Sequence, residues 1–130
     1  MGATLDTSHL RYADEQEFGQ QLEKRTKAFA VQIVKLAAKL PCDRTGDAVR
    51  YQMVKSGTSI GANYREANRA VSRAGFKHRI STCEKEASET QYWLEVIIEG
   101  EWLPLEQIQP DHKECSELLA LFTSIGKSTK

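Results

Sequence analysis

The sequence predicts an all-α fold, an antiparallel up-down-up-down four-helix bundle. Apolar residues recur at steps of three and four through four separate segments. Short connectors bearing proline or glycine join those segments. Nowhere does the chain alternate apolar and polar residues as a half-buried strand would, and no repeat of fixed period is present.

The elements follow in order. Residues 1–19 are polar, lack a period and hold four acids against one arginine, so they read as a mobile arm ahead of a bundle over 20–128. The first helix lies in QLEKRTKAFAVQIVKLAAKL. Its inward stripe is Leu22, Thr26, Phe29, Ala30, Ile33, Leu36, Ala37 and Leu40. Pro41 stops it, and PCDRTG is a turn signal.

A second helix is expected from about Asp47 to Ala70 or Val71. Its middle, SGTSIGAN, carries two glycines that each cost a helix about 1 kcal/mol relative to alanine, so a loop is the competing reading. Gly57 and Gly61 are four apart and share one stripe, which favours a helix whose small face admits a close neighbour. The third helix follows a turn at Ser72 to Gly75, with Phe76, Ile80, Cys83, Ala87, Thr90, Leu94, Ile97 and Ile98 inward. Tyr92, Trp93 and Val96 widen its apolar face beyond one core's needs, which points to a subunit contact. Gly100 and Pro104 end it. The fourth helix spans about Pro104 to Gly126 and tolerates Pro110 in its first turns.

Composition excludes several function classes. With 18 basic and 18 acidic residues the chain is neither globally basic nor an acidic tail. No run approaches the roughly 18 apolar residues that a membrane span needs, and the first residues have no apolar core of a secretory signal. Asp6 stands where a myristoylation start wants Ser or Thr. Cys42, Cys83 and Cys115 fit neither a disulfide framework nor a zinc site, so they read as ordinary thiols of a cytoplasmic protein.

Charge is unevenly placed. Residues 20–80 carry 13 basic and 4 acidic side chains, a net of +9, whereas 81–130 net −6 and the arm −3. Pairing between helices of one bundle is the plain explanation. Complementary faces of neighbouring subunits are a second. A third is a phosphate-binding patch of Lys24, Arg25, Lys27, Arg65, Arg69, Arg73, Lys77 and Arg79, suited to RNA.

Catalytic patterns are missing. No Glu-x-x-His pair of the di-iron bundles, no phosphate loop, no nucleophile elbow and no zinc-protease motif occurs, so no metal, cofactor or small-molecule substrate is expected. The dense polar constellation is NYREANR with CEKEASE. Antiparallel pairing would bring Arg65 and Arg69 opposite Ile80 to Glu84, so that Asn63, Arg65, Glu66, Glu84, Glu86 and Glu89 form a structural network rather than an acid–base pair in a cleft.

LEKRTKAFAVQIVKLAAKLP, VKSGTSIGANYREANRAVSRAGFKHRIS and EKEASETQYWLEVI resemble, in order and spacing over about residues 20–128, the four-helix proteins encoded within 23S rRNA intervening sequences. Gly75 departs from the Asp that the family often places before this phenylalanine, which leaves the cap of the third helix open. The resemblance implies a left-handed bundle, a homopentamer, and kinship with the accessory variability proteins of diversity-generating retroelements. Those relatives bind nucleic acid and a reverse transcriptase through basic surfaces. The expectation is therefore a non-enzymatic oligomer that binds RNA or a nucleoprotein partner through its basic first helix pair. A scaffold that contacts only proteins is the alternative.

Overall fold

The computed structural model describes residues 8–129, so the first seven residues of the expected arm lie outside the described part. Four helices account for nearly all of it: α1 Ser8–Ala37, α2 Arg44–Asn68, α3 Arg73–Glu99 and α4 Leu105–Ser128. Each packs antiparallel on the next, and α1 meets α4 more sparsely to complete the bundle. The core is a single cluster running through all four helices, with Ile33, Met53, Ile60, Ile80, Leu94, Ile97, Ile108, Leu118 and Phe122 fully enclosed. Tyr64 and Phe122 close one end of it with tilted rings 5.6 Å apart.

Residues 8–19 are helical rather than an arm, a correction to the boundary drawn at residue 20. Half of them (Leu10, Arg11, Ala13, Glu15, Gln16 and Glu17) are good helix formers and none is proline, so local propensity carries the helix where no apolar stripe announces it. Gly19 is already buried, lying against the Asn68 side chain of α2.

The glycine-bearing middle of α2 is continuous helix, and its small residues do what their spacing predicts. A methyl group at Gly57 would stand 2.8 Å from Ile33, and one at Gly61 would stand 3.3 Å from the Thr26 backbone. Two helices therefore touch almost backbone to backbone along the α1–α2 seam. Thr26 fits there because its hydroxyl donates back to the Leu22 carbonyl at 2.9 Å, so nothing polar is left unpaired.

Side chains govern the connectors. Asp43 caps α2 by accepting from the Gly46 N–H at 2.6 Å, and Ser72 caps α3 by accepting from the Gly75 N–H at 3.0 Å. The cap that Gly75 leaves open is thus supplied three residues earlier. Arg50 was not singled out by any motif, yet it closes the α1–α2 turn. Its guanidinium donates to the carbonyls of Ala37 at 3.1 Å, Leu40 at 2.9 Å and Pro41 at 3.0 Å, while pairing with Asp47. The Ala37 carbonyl also accepts from the Leu40 N–H at 3.1 Å, whereas the Leu40 and Pro41 carbonyls lie in the connector and take Arg50 as their donor. At the far end of α3 the left-handed position falls on Glu101, with φ 56°, instead of on Gly100.

The two buried thiols bridge helices. Cys83 donates to the Ile60 carbonyl at 3.5 Å and Cys115 to the Ala87 carbonyl at 3.3 Å. Burial pushes each pKa up to about 12.

Three outcomes are expected. Gly61→Leu should lower stability in urea unfolding by about 3 kcal/mol, since the facing backbone cannot give way, whereas the exposed Ala62→Leu should stay within about 0.5 kcal/mol. Arg50→Ala should cost about 2 kcal/mol by taking the donor from the Leu40 and Pro41 carbonyls of the connector. In thiol titration of the folded protein at pH 8, Cys42 should react promptly, while Cys83 and Cys115, raised far above that pH, should react only on unfolding.

Candidate functional site

The helices distribute the candidate basic residues over separate surfaces. Arg25 turns toward α4, where Glu114 takes both of its nitrogens at 2.6 and 2.8 Å, with Glu117 at 3.8 Å. The Glu114 bond raises its pKa further, so it ties the α1–α4 seam as a fixed cation. Arg79 donates to the Asn63 side chain at 3.0 Å across the α2–α3 seam. Lys77 borders a shallow cleft on the α3–α4 side with Glu84, Thr123 and Lys127. Arg73, one turn earlier, shares that side.

What remains together is a smaller group. Lys24 and Lys27 are exposed on the outer side of α1 and have no ion-pair partner among the described residues. Arg65 leans across from α2 to Glu23 at 3.8 Å, and Arg69 donates to the Arg65 carbonyl at 3.3 Å with its charge unpaired. Lys24, Lys27, Arg65 and Arg69 therefore form one basic surface at the lower half of α1–α2.

The expected Arg–Glu network does not form. Contacts of Ser56 with Thr90, Ile60 with Cys83 and Asn63 with Arg79 fix the α2–α3 register, which leaves Arg65 near the start of α3, before Glu84. Its side chain is also turned to α1. Glu84 instead accepts from Thr123 of α4 at 3.2 Å. Glu86 is drawn up in pKa, by burial first and by its neighbour Glu89 second. Asn63 donates to the Ser59 carbonyl within its own helix, and Glu66 is exposed. The network residues thus serve three different seams. The contact that the sequence did not foresee inside α2–α3 is Thr90 donating to the buried Ser56 hydroxyl at 2.9 Å.

The apolar surface expected on α3 is present in part. Tyr92 is 58% exposed, with its ring edge-on to Trp93 at 5.0 Å, and Trp93 and Val96 are half-buried. The Trp93 indole nitrogen is enclosed with no acceptor among the described residues. A second apolar surface was missed. Val31, Val34 and Tyr51 are 45%, 48% and 62% exposed on the outer side of α1–α2. The signal was available: Val31 and Val34 fall off the inward stripe of α1, on the side where polar residues belong.

Among the described residues no group of His, Cys, Asp and Glu is placed to hold a metal ion, and no helix is long and apolar enough to cross a membrane.

Comparison with known proteins supplies the context for these surfaces. No curated protein matches the chain. A crystal structure of a protein of unknown function from Bacteroides thetaiotaomicron, described as belonging to the S23 ribosomal protein family, superposes with a TM-score of 0.75 at 40% identity. The alignment covers 81% of this chain and 97% of that one. The family described as 23S rRNA-intervening sequence protein matches residues 19–124, which takes in the glycine seam, both capped turns and the surfaces on α1–α2 and α3. The chain belongs to the 23S rRNA-intervening sequence protein family.

Proposed function

We propose that this chain is a non-enzymatic, cytoplasmic, homo-oligomeric bundle, pentameric when assembled, which holds RNA or a nucleoprotein partner by its phosphate backbone. The observation that carries the reading is the surface of Lys24, Lys27, Arg65 and Arg69. The other candidate cations have partners within the bundle or sit on another side, yet these keep most of their charge facing solvent. The spacing along two antiparallel helices makes a stripe that follows a backbone, without the aromatic platforms that would read bases. Shape and charge, not sequence, would select the ligand.

Light scattering of the purified protein should return about five chain masses, and a clean monomer would remove the oligomeric part. Anisotropy titration of a labelled structured RNA should show binding that weakens by one and a half to two orders of magnitude between about 50 and 200 mM salt, as roughly four phosphate contacts require. Arg69→Ala should weaken it, whereas Arg25→Ala, whose cation already faces Glu114, should leave affinity nearly unchanged. Absence of binding at low salt would favour the alternative, a scaffold that contacts proteins alone.

A further inference from the structure

A cleft of about 610 Å³ opens at the end of the bundle where the first turns of α1 meet the last turn of α4. Gly19 lies against Asn68, the last residue of α2, so the turns of α1 before it run on past the end of that helix. Phe18 on that overhang lines the cleft together with Tyr64 of α2, Phe76 of α3 and Ile125 of α4, one apolar side chain from each helix. Tyr64 is buried and Phe76 and Ile125 are half-buried, whereas Phe18 stays 47% exposed. Folding therefore leaves apolar walls around a space of the size that small organic ligands occupy.

The polar groups of the cleft ask for a donor. The Asn68 amide spends its hydrogens on the Glu23 carboxylate at 2.9 Å and the Gly19 carbonyl at 3.5 Å. The hydroxyls of Ser128 and Thr129 both donate to the Ile125 carbonyl, at 3.0 and 2.8 Å. The Tyr64 hydroxyl is engaged with Asn68. What these groups still offer is acceptor lone pairs. Asp14 and Glu15 add two carboxylates, four and three residues before Phe18 and hence on its side of α1. Both are exposed and have no cationic partner among the described residues. No lysine or arginine among those residues lines the cleft. Glu23, next to it, is already taken by Asn68 and by Arg65 at 3.8 Å.

We propose that this cleft binds a small organic cation, a primary ammonium carried on an aromatic ring, with the ring among Phe18, Phe76 and Ile125 and the ammonium at Asp14 and Glu15. Shape and charge select this class together. An ammonium brings three donors to a site that has acceptors to spare, and the two carboxylates favour its charge. An anion would meet Asp14 and Glu15 with nothing to balance them. A purely apolar ligand would strip water from those carboxylates and return no partner. The same argument keeps phosphate out, so the cleft is separate in chemistry from the basic surface of Lys24, Lys27, Arg65 and Arg69.

The test is a calorimetric titration of the full chain with phenylethylammonium as the probe. Saturable binding with a dissociation constant of about 1 mM is expected for a ligand of this size. Phenylethanol, with the same ring and no charge, should bind about tenfold more weakly, and phenylpropionate should not bind. Asp14→Asn with Glu15→Gln should weaken the probe by about fivefold, and Phe18→Ala by a similar factor, with the unfolding midpoint unchanged because all three side chains are exposed. Glu99→Gln with Glu106→Gln, an exposed pair at the opposite end of the bundle, should leave affinity unaltered and so separate a site from general attraction to carboxylates. Absence of saturable heat, equal affinity for phenylethanol or phenylpropionate, or equal loss in the Glu99 and Glu106 variant would each overturn the proposal. Light scattering at saturating probe should give the same mass as without it. A fall in mass would show that a second copy of the chain fills the cleft, and would overturn the proposal as well.

Discussion

The distance between α1 and α2 is set by two hydrogen atoms, the side chains of Gly57 and Gly61. Because Ile33 and the Thr26 backbone sit where a methyl would go, the two helices run closer than ordinary side chains allow. Every other placement depends on that seam. It fixes which way α2 is rotated, so Ser56, Ile60 and Asn63 face α3 and set its register. It also lets Arg50 reach back over the turn to the carbonyls of Ala37 and Leu40. The helix-propensity cost of two glycines is offset by dispersion along the contact, where many atoms meet at once.

Charge in this molecule has two roles, and geometry sorts them. Arg25 and Arg79 are partners within the bundle, and His112 with Glu95 at 3.0 Å joins α3 to α4 in the same way. These contacts hold register between helices more than they add stability, since most are part-exposed. The excess of basic charge on the first helix pair is larger than such pairing absorbs. Its remainder faces outward near one end of α1–α2, while the apolar exposed residues gather nearer the other. One helix pair thus presents two surfaces with different chemistry, separated along its length.

Much of this was legible in the sequence, and the failures have physical reasons. Stripes of period 3.6 gave the helices and most of the core, because burial writes itself into spacing. Gly57 and Gly61 were readable as a close approach because four residues return to the same face. The start of α1 was not readable, since propensity alone holds residues 8–19 and leaves no apolar period. Arg65 and the glutamates of α3 were assigned to one network because sequence shows only that opposite charges lie on consecutive helices. A register difference of more than one and a half turns, together with the rotation of α2 toward α1, sends Arg65 to Glu23 and Glu84 to Thr123. The family resemblance supplied the fold but not these pairings, which depend on rotations that no linear pattern records.

The sparse α1–α4 contact has a consequence for how the molecule breathes. Three of its seams are extensive, while the fourth is sparser and leans on Arg25 clasped by Glu114. Opening there releases Arg25 from Glu114 and Glu117 at the sparsest helix contact, so sub-global unfolding should begin by α1 or α4 swinging outward as a hinged stave, with α2 and α3 persisting as the last protected pair. Amide exchange would then run fastest along that seam, and slowest where Cys83 hangs on the Ile60 carbonyl at the centre of the α2–α3 contact.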